Sequence, residues 1–261
     1  MQYVILSVLG RCFVYPTLVH RWLHDVPGIL HRDFSPNNIM CRWIEEINAK
    51  GKPEKKVYGV LTDYDLSSWT AQLKQDVTRT SQQRTGTPPY MALELLDGSS
   101  PTHLYRHDLE SLFYVMLLTC CRNTFDSMQR NTLPFRDWFG EPKYHALGSY
   151  KRTFFSVGKA IELPSTFKDF YPWLDNLQLQ FMNGFVAKSL FIGSQRRRKG
   201  HGTLTTTVNQ FDEETLGGHI SYSSFLEPVR ELTGKLGGLV VRYDPTQSQI
   251  PASAGETQVD T

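Results

Sequence analysis

The stretch ILHRDFSPNNIM, residues 29–40, constrains this chain more than any other. His31, Arg32 and Asp33 stand together, Asn38 follows the Asp by five residues, and apolar runs close both ends. Phosphoryl transfer needs this combination: one carboxylate to take a hydroxyl proton, and an oxygen ligand nearby for Mg²⁺. Asp33 is the candidate proton acceptor, Asn38 the candidate metal ligand and Arg32 a structural cation able to pair with an ordered loop. A solvated surface loop would present the same letters, so the rest of the chain has to decide.

With 261 residues, 40% hydrophobic and 21% charged, the chain suits one large soluble domain or two small ones. A net charge of +2 argues against a nucleic-acid partner. Cys12, Cys41, Cys120 and Cys121 form no CxxC pattern, and the adjacent pair is poorly placed for a disulfide, which points to a reducing intracellular compartment. YVILSVLG (3–10) and LFYVMLLTCC (112–121) fall short of the ~20 residues a membrane span requires, and the first lacks the features of a signal peptide. No membrane partner is expected.

Residues 3–9 read as a buried strand ended by Gly10, and a short helix is expected around Thr17–His24. IMCRWI and KKVYGVLTDYDL, joined by polar NAKGKPEKK, predict a hairpin flanking the opening loop. Polar residues 67–88 read as a long loop. From 104 onward the spacing turns helical, with further helices within 150–161 and 174–191. SQRRRKGHG (194–202) reads as a solvated loop. Tyr222, Phe225, Leu226, Val229, Leu232 and Leu236 lie at i, i+3, i+4 spacing, and the tail from about Thr246 has a disordered composition.

Three later segments bear on the opening loop. In LTDYDLS, Asp63 follows an apolar strand and precedes an aromatic residue, the arrangement of a Mg²⁺-holding segment. GTPPYMALELL (86–96) is a Pro-rich turn entering a helix, and RHDLESLFYV sets Asp108 at the start of a buried one. His103 and His107, four apart, lack an evident third metal ligand.

Taken in order, GILHRDFSPNNIM, GVLTDYDLSSW, RTGTPPYMALELL, HLYRHDLESLFYV and FDEETLGGHISY resemble segments of the fungal-type protein kinase family, over roughly residues 3–235. The resemblance implies an α+β, mainly helical fold: a protein-kinase-like C-lobe with a small β-hairpin at the catalytic site. Its divisions would be a last N-lobe strand and hinge at 1–12, the C-lobe at 13–245 and a disordered tail at 246–261. It implies Asp33 as catalytic base, Thr87 positioning it, and Asn38 and Asp63 as ligands of Mg²⁺ on ATP. Asp108 would hold the catalytic loop through backbone hydrogen bonds, and Glu94 would pair with a buried Arg that the sequence does not specify.

Ser35 stands where most Ser/Thr kinases carry a Lys that steadies the transferring phosphoryl group, and Leu93 replaces the Pro of Ala-Pro-Glu. No GxGxxG loop or VAIK-like lysine strand occurs. An N-lobe sheet needs on the order of 50 residues, and 30 precede His31, so the expectation is a truncated N-lobe. The implied activity is ATP-dependent phosphorylation of Ser or Thr in a protein substrate, within the cytoplasm or nucleus. The alternatives are a non-catalytic pseudokinase-like binding module and, more remotely, a small-molecule phosphotransferase.

Overall fold

The computed structural model describes residues 2–48, 50–75, 86–99, 102–122, 134–140, 143–200 and 210–232. They form a mainly helical α+β fold with two small antiparallel sheets. Residues 3–9 are not a strand: helix α1 spans Gln2–Asp25 and takes in residues 2–12 of the segment expected to be strand and hinge, as well as the short helix expected near Thr17. A short apolar run has no period that separates a buried strand from a buried helix. Here the tertiary contacts decide, because Cys12, Phe13, Val14, Thr17 and His20 all turn inward. Pro16 sits within α1.

Strand β1 (Ile29–Leu30) leads into the opening loop, which a short 3₁₀ turn at Pro36–Asn38 delivers into β2 (Ile39–Ile47). Strand β3 (Pro53–Leu61) pairs antiparallel with β2, giving the expected hairpin. The polar stretch after it carries β4 (Ser68–Trp69), paired with β1, and helix α2 (Thr70–Gln75). α1 lies across the hairpin at Gly59. A Cβ there would stand 2.8 Å from the Arg11 carbonyl oxygen, the Cys12 Cα and the Pro16 Cδ, so only glycine admits the helix this closely. Gly59 is the register partner of Cys41, and Cys12 and Cys41 form a disulfide with Cα atoms 5.9 Å apart. The cysteine usage, read as that of a reducing compartment, did not anticipate this bond, while Cys120 and Cys121 are free thiols. The pairing depends on α1 packing over β3, which spacing along the chain cannot reveal.

After the short α3 (Leu93–Asp97), α4 (Tyr105–Arg122) forms the centre of the core. Leu109, Leu112, Phe113, Tyr114, Met116 and Leu117 have no exposed surface. Helices α5 (Tyr144–Val157) and α6 (Tyr171–Gly200) pack alongside, with Phe154, Phe155 and Phe181 ringing Phe113 at centroid distances of 6.3, 6.2 and 5.7 Å. α7 (Tyr222–Leu232) closes the core, its Phe225 carbonyl accepting the Trp173 indole N–H at 3.0 Å. The loop expected from 194 is helical through Gly200, as α6 continues, and the rest of that stretch lies outside the described residues, as does 246–261. Among the described residues no helix is long and apolar enough to cross a membrane.

Gly59→Ala forces α1 off the hairpin and should cost about 1–3 kcal/mol, the usual range for overpacking. Urea unfolding of the full chain measures it; an unchanged midpoint would mean that α1 is not seated on β3.

Candidate active site

Asp108, in the first turn of α4 and fully buried, organises the opening loop. Its carboxylate accepts the His31 backbone N–H at 3.1 Å and the Arg32 N–H at 3.1 and 3.2 Å. His20 Nε2 lies 2.8 Å from Oδ2, and His103 Nε2 lies 2.8 Å from Oδ1. Burial alone would raise this carboxyl's pKa. The charge and hydrogen bond of His103, with the hydrogen bond of His20, outweigh burial and hold it well below the ordinary value. Arg32 adopts φ 70°, a left-handed conformation that costs a non-glycine residue about 1–2 kcal/mol. Its bonds to Asp108 hold it there, while its guanidinium donates to the Ser68 hydroxyl at 2.7 Å.

That backbone turn aims Asp33 at Thr87 and Asn38. Asp33 Oδ1 accepts the Thr87 backbone N–H at 3.0 Å and its hydroxyl at 3.1 Å. Asn38 Nδ2 donates to Asp33 Oδ2 at 3.1 Å and to the Asp33 carbonyl at 2.8 Å. Gly86, at φ +117°, lets the Thr87 segment approach, since a Cβ there would meet Met91 Cγ at 3.1 Å and the Arg32 carbonyl at 3.4 Å. Ser35 is buried, and its carbonyl accepts the Asn38 N–H at 3.1 Å, closing the 3₁₀ turn.

The link to Asp63 runs through Thr62, whose N–H donates to the Asn38 carbonyl at 2.9 Å and whose carbonyl pairs with His31 Nε2 at 2.9 Å. Asp63 follows, exposed and left-handed at φ 62°. A hard divalent cation takes oxygen ligands. The Asn38 amide spends its nitrogen on Asp33, which leaves its oxygen as an acceptor, and Asp63 offers an exposed carboxylate one residue beyond Thr62. An amide oxygen and a carboxylate are the ligand types Mg²⁺ takes.

Glu94 is buried and ionised among cations. Its partner is Arg106, joined by Lys188 at 2.6 Å and His107 at 3.4 Å. Burial opposes its charge, but the hydrogen bond from His107 and the positive charge of Arg106 outweigh burial, and its pKa falls far below the ordinary value. Next to it, Met91–Leu93 is clamped from two sides. Glu110 accepts the Leu93 N–H at 2.7 Å and the Tyr114 hydroxyl at 2.6 Å, and buried Lys151 donates to the Met91 carbonyl. Burial pushes Glu110 up to about 7. The imidazoles of His103 and His107 are engaged with Asp108 and Glu94 and do not converge on a metal. His20, Tyr222, Glu110 and Lys151 are the residues that sequence reasoning missed, since each acts on a segment far away in the chain. Residues 76–85 of the stretch expected to be a long loop lie outside the described residues.

Residues 11–120 match the model of the fungal protein kinase family, a span that holds every site residue expected from the sequence. No curated protein and no solved structure matches the chain.

Burial, aided by the Arg106 charge, pushes His107 from its ordinary 6.5 down to about 3. Between those values the unfolded chain binds the extra proton, so the His107 contribution to stability falls as pH drops from about 6.5 toward 3, while Glu110, raised to about 7, contributes with the opposite sign between 7 and 4.5. Asp108 and Glu94, both depressed, add to the loss below their ordinary 3.8 and 4.5. The His107 part has a limiting slope of about 1.4 kcal/mol per pH unit. His107→Gln removes the His107 contribution, so relative to the parent its stability at pH 4.5 should rise against its stability at pH 6.5; urea midpoints of both proteins across that interval test it, and an unaltered pH dependence would assign the effect to another group.

Proposed function

We propose that this chain, of the fungal protein kinase family over residues 11–120, transfers the γ-phosphoryl group of ATP to a Ser or Thr hydroxyl of a protein substrate. On this reading residues 13–245 are a protein-kinase C-terminal lobe, with α4 its central helix and the β2–β3 hairpin at its catalytic edge. The observation that carries the reading is the fixed carboxylate of Asp33, held on Oδ1 by Thr87 and on Oδ2 by Asn38.

Asp33 accepts the substrate hydroxyl proton as that oxygen attacks the γ-phosphorus and ADP leaves. Holding the base in one orientation is what raises the rate, since misplacement by about 1 Å can cost 10²-fold. Thr87 supplies that orientation and ties the base to the segment Met91–Leu93, which the Glu110 and Lys151 clamp fixes. Asn38 and Asp63 would hold Mg²⁺, which when bound neutralises charge on the ATP phosphates. Ser35 places a buried hydroxyl residue where most Ser/Thr kinases use a cation, so the phosphoryl charge receives less help from the loop. The absence of a GxGxxG segment in the sequence favours one second reading, a non-catalytic binding module.

Asp33→Asn keeps the shape of the site and removes the base, and should lower phosphoryl transfer to a Ser/Thr peptide by about 10²–10⁴. The assay uses radiolabelled ATP with Mg²⁺ and the full chain. An Asp33→Asn variant as fast as the parent rules out this role. A parent that neither transfers phosphate nor gains thermal stability from Mg·ATP supports the binding module, and transfer to a small alcohol alone supports a small-molecule phosphotransferase.

A further inference from the structure

We infer that Tyr222, at the start of α7, is a positioning residue for the catalytic loop and acts through His20 and Asp108. The inference rests on the proposed phosphotransfer for its catalytic meaning, while the contacts stand independently. The Tyr222 hydroxyl lies 2.9 Å from His20 Nδ1, and His20 Nε2 lies 2.8 Å from Asp108 Oδ2. Asp108 in turn holds the backbone N–H groups of His31 and Arg32. His20 and Asp108 have no exposed surface and Tyr222 is 6% exposed, so water does not compete for these bonds.

Each member of the chain has its role set by the next. An ionised carboxylate only accepts, so His20 Nε2 must carry a proton. In a neutral imidazole Nδ1 is then an acceptor and needs a donor, which Tyr222 provides. The phenol stays protonated, because burial and the nearby Asp108 charge push its pKa well above the ordinary value. Tyr222 thereby selects the tautomer that grips Asp108; the opposite tautomer would set a nitrogen lone pair against the carboxylate.

The anchor is itself fixed. The Tyr222 ring stacks on Tyr105 at 5.0 Å and 18°, and the Tyr105 hydroxyl donates to the Ile220 carbonyl at 3.2 Å. His20 also meets the loop directly, edge-on to Phe34 at 5.2 Å. A residue 202 positions from His20, and outside the matched family segment, therefore bears on the backbone that orients Asp33.

The test is amide hydrogen exchange on the full chain with Tyr222→Phe, which removes one oxygen and keeps the stacked ring. Exchange at His31 and Arg32 should quicken about tenfold while Met116 and Leu117 in α4 keep their rates. No change at the loop, or equal quickening in α4, would overturn the proposal. In ¹⁵N-histidine spectra of the parent, His20 should appear as the neutral Nε2–H tautomer, and either an Nδ1–H signature or an imidazolium, whose Nδ1 would donate to Tyr222, would overturn it too. These readouts need no phosphoryl transfer, so an inactive parent sinks the proposed function and leaves this inference to the exchange data. In an active parent, Tyr222→Phe should lower kcat about tenfold with KM for ATP within about twofold; an unchanged kcat would refute the positioning role.

Discussion

A fully buried carboxylate is expensive unless hydrogen bonds and opposite charge surround it. Asp108 meets that demand with the backbone of the opening loop, so the loop's conformation is what satisfies the charge. Two backbone amides and two imidazoles converge on its oxygens. Removing any one would leave part of a buried charge unpaired, and this holds Arg32 in a backbone conformation that it would not adopt by preference. Asp33 inherits its direction from that turn.

A second layer repeats the device with different chemistry. Glu110 and Lys151, both fully buried, bind opposite ends of the three-residue segment Met91–Leu93 through its own amide and carbonyl groups. Lys151 also lies over the Tyr114 ring, 3.7 Å from its centroid, and Tyr114 donates to Glu110. Burial drives the Lys151 ammonium well below its usual pKa range. Around the site, α4 thus presents carboxylates to backbone in two places, Asp108 to the opening loop and Glu110 to the Thr87 side. Side chains from the central helix connect both halves of the site to one rigid element.

How much of this was legible in the sequence follows from the range of the interactions. The hairpin came from IMCRWI and KKVYGVL because alternation and turn residues are local signals, and α4 from its long helical period. The convergence of Asp33, Asn38 and Thr87 could be expected because their order resembles a known family. α1 could not be read, since the apolar run at its start fits strand and helix equally, with Gly10 and Pro16 acting as misleading punctuation. The partner of Glu94 was open in the sequence because Arg106, twelve residues on, belongs to the next helix, α4. The Cys12–Cys41 bond and the Tyr222–His20 contact join elements whose proximity depends on the completed packing.

The disulfide has one more consequence. Cys12 and Cys41 are 29 positions apart, and the segment between them contains β1 and every residue from His31 to Asn38. The loop from His31 to Asn38 is therefore part of a covalent macrocycle, whose closure restricts the unfolded chain by about 3–4 kcal/mol in the chain-entropy account. A protease nick at Arg21 or Arg32 would open this ring without releasing a fragment, and the two pieces would stay joined until a reductant cleaved the bond between buried Cys12 and exposed Cys41.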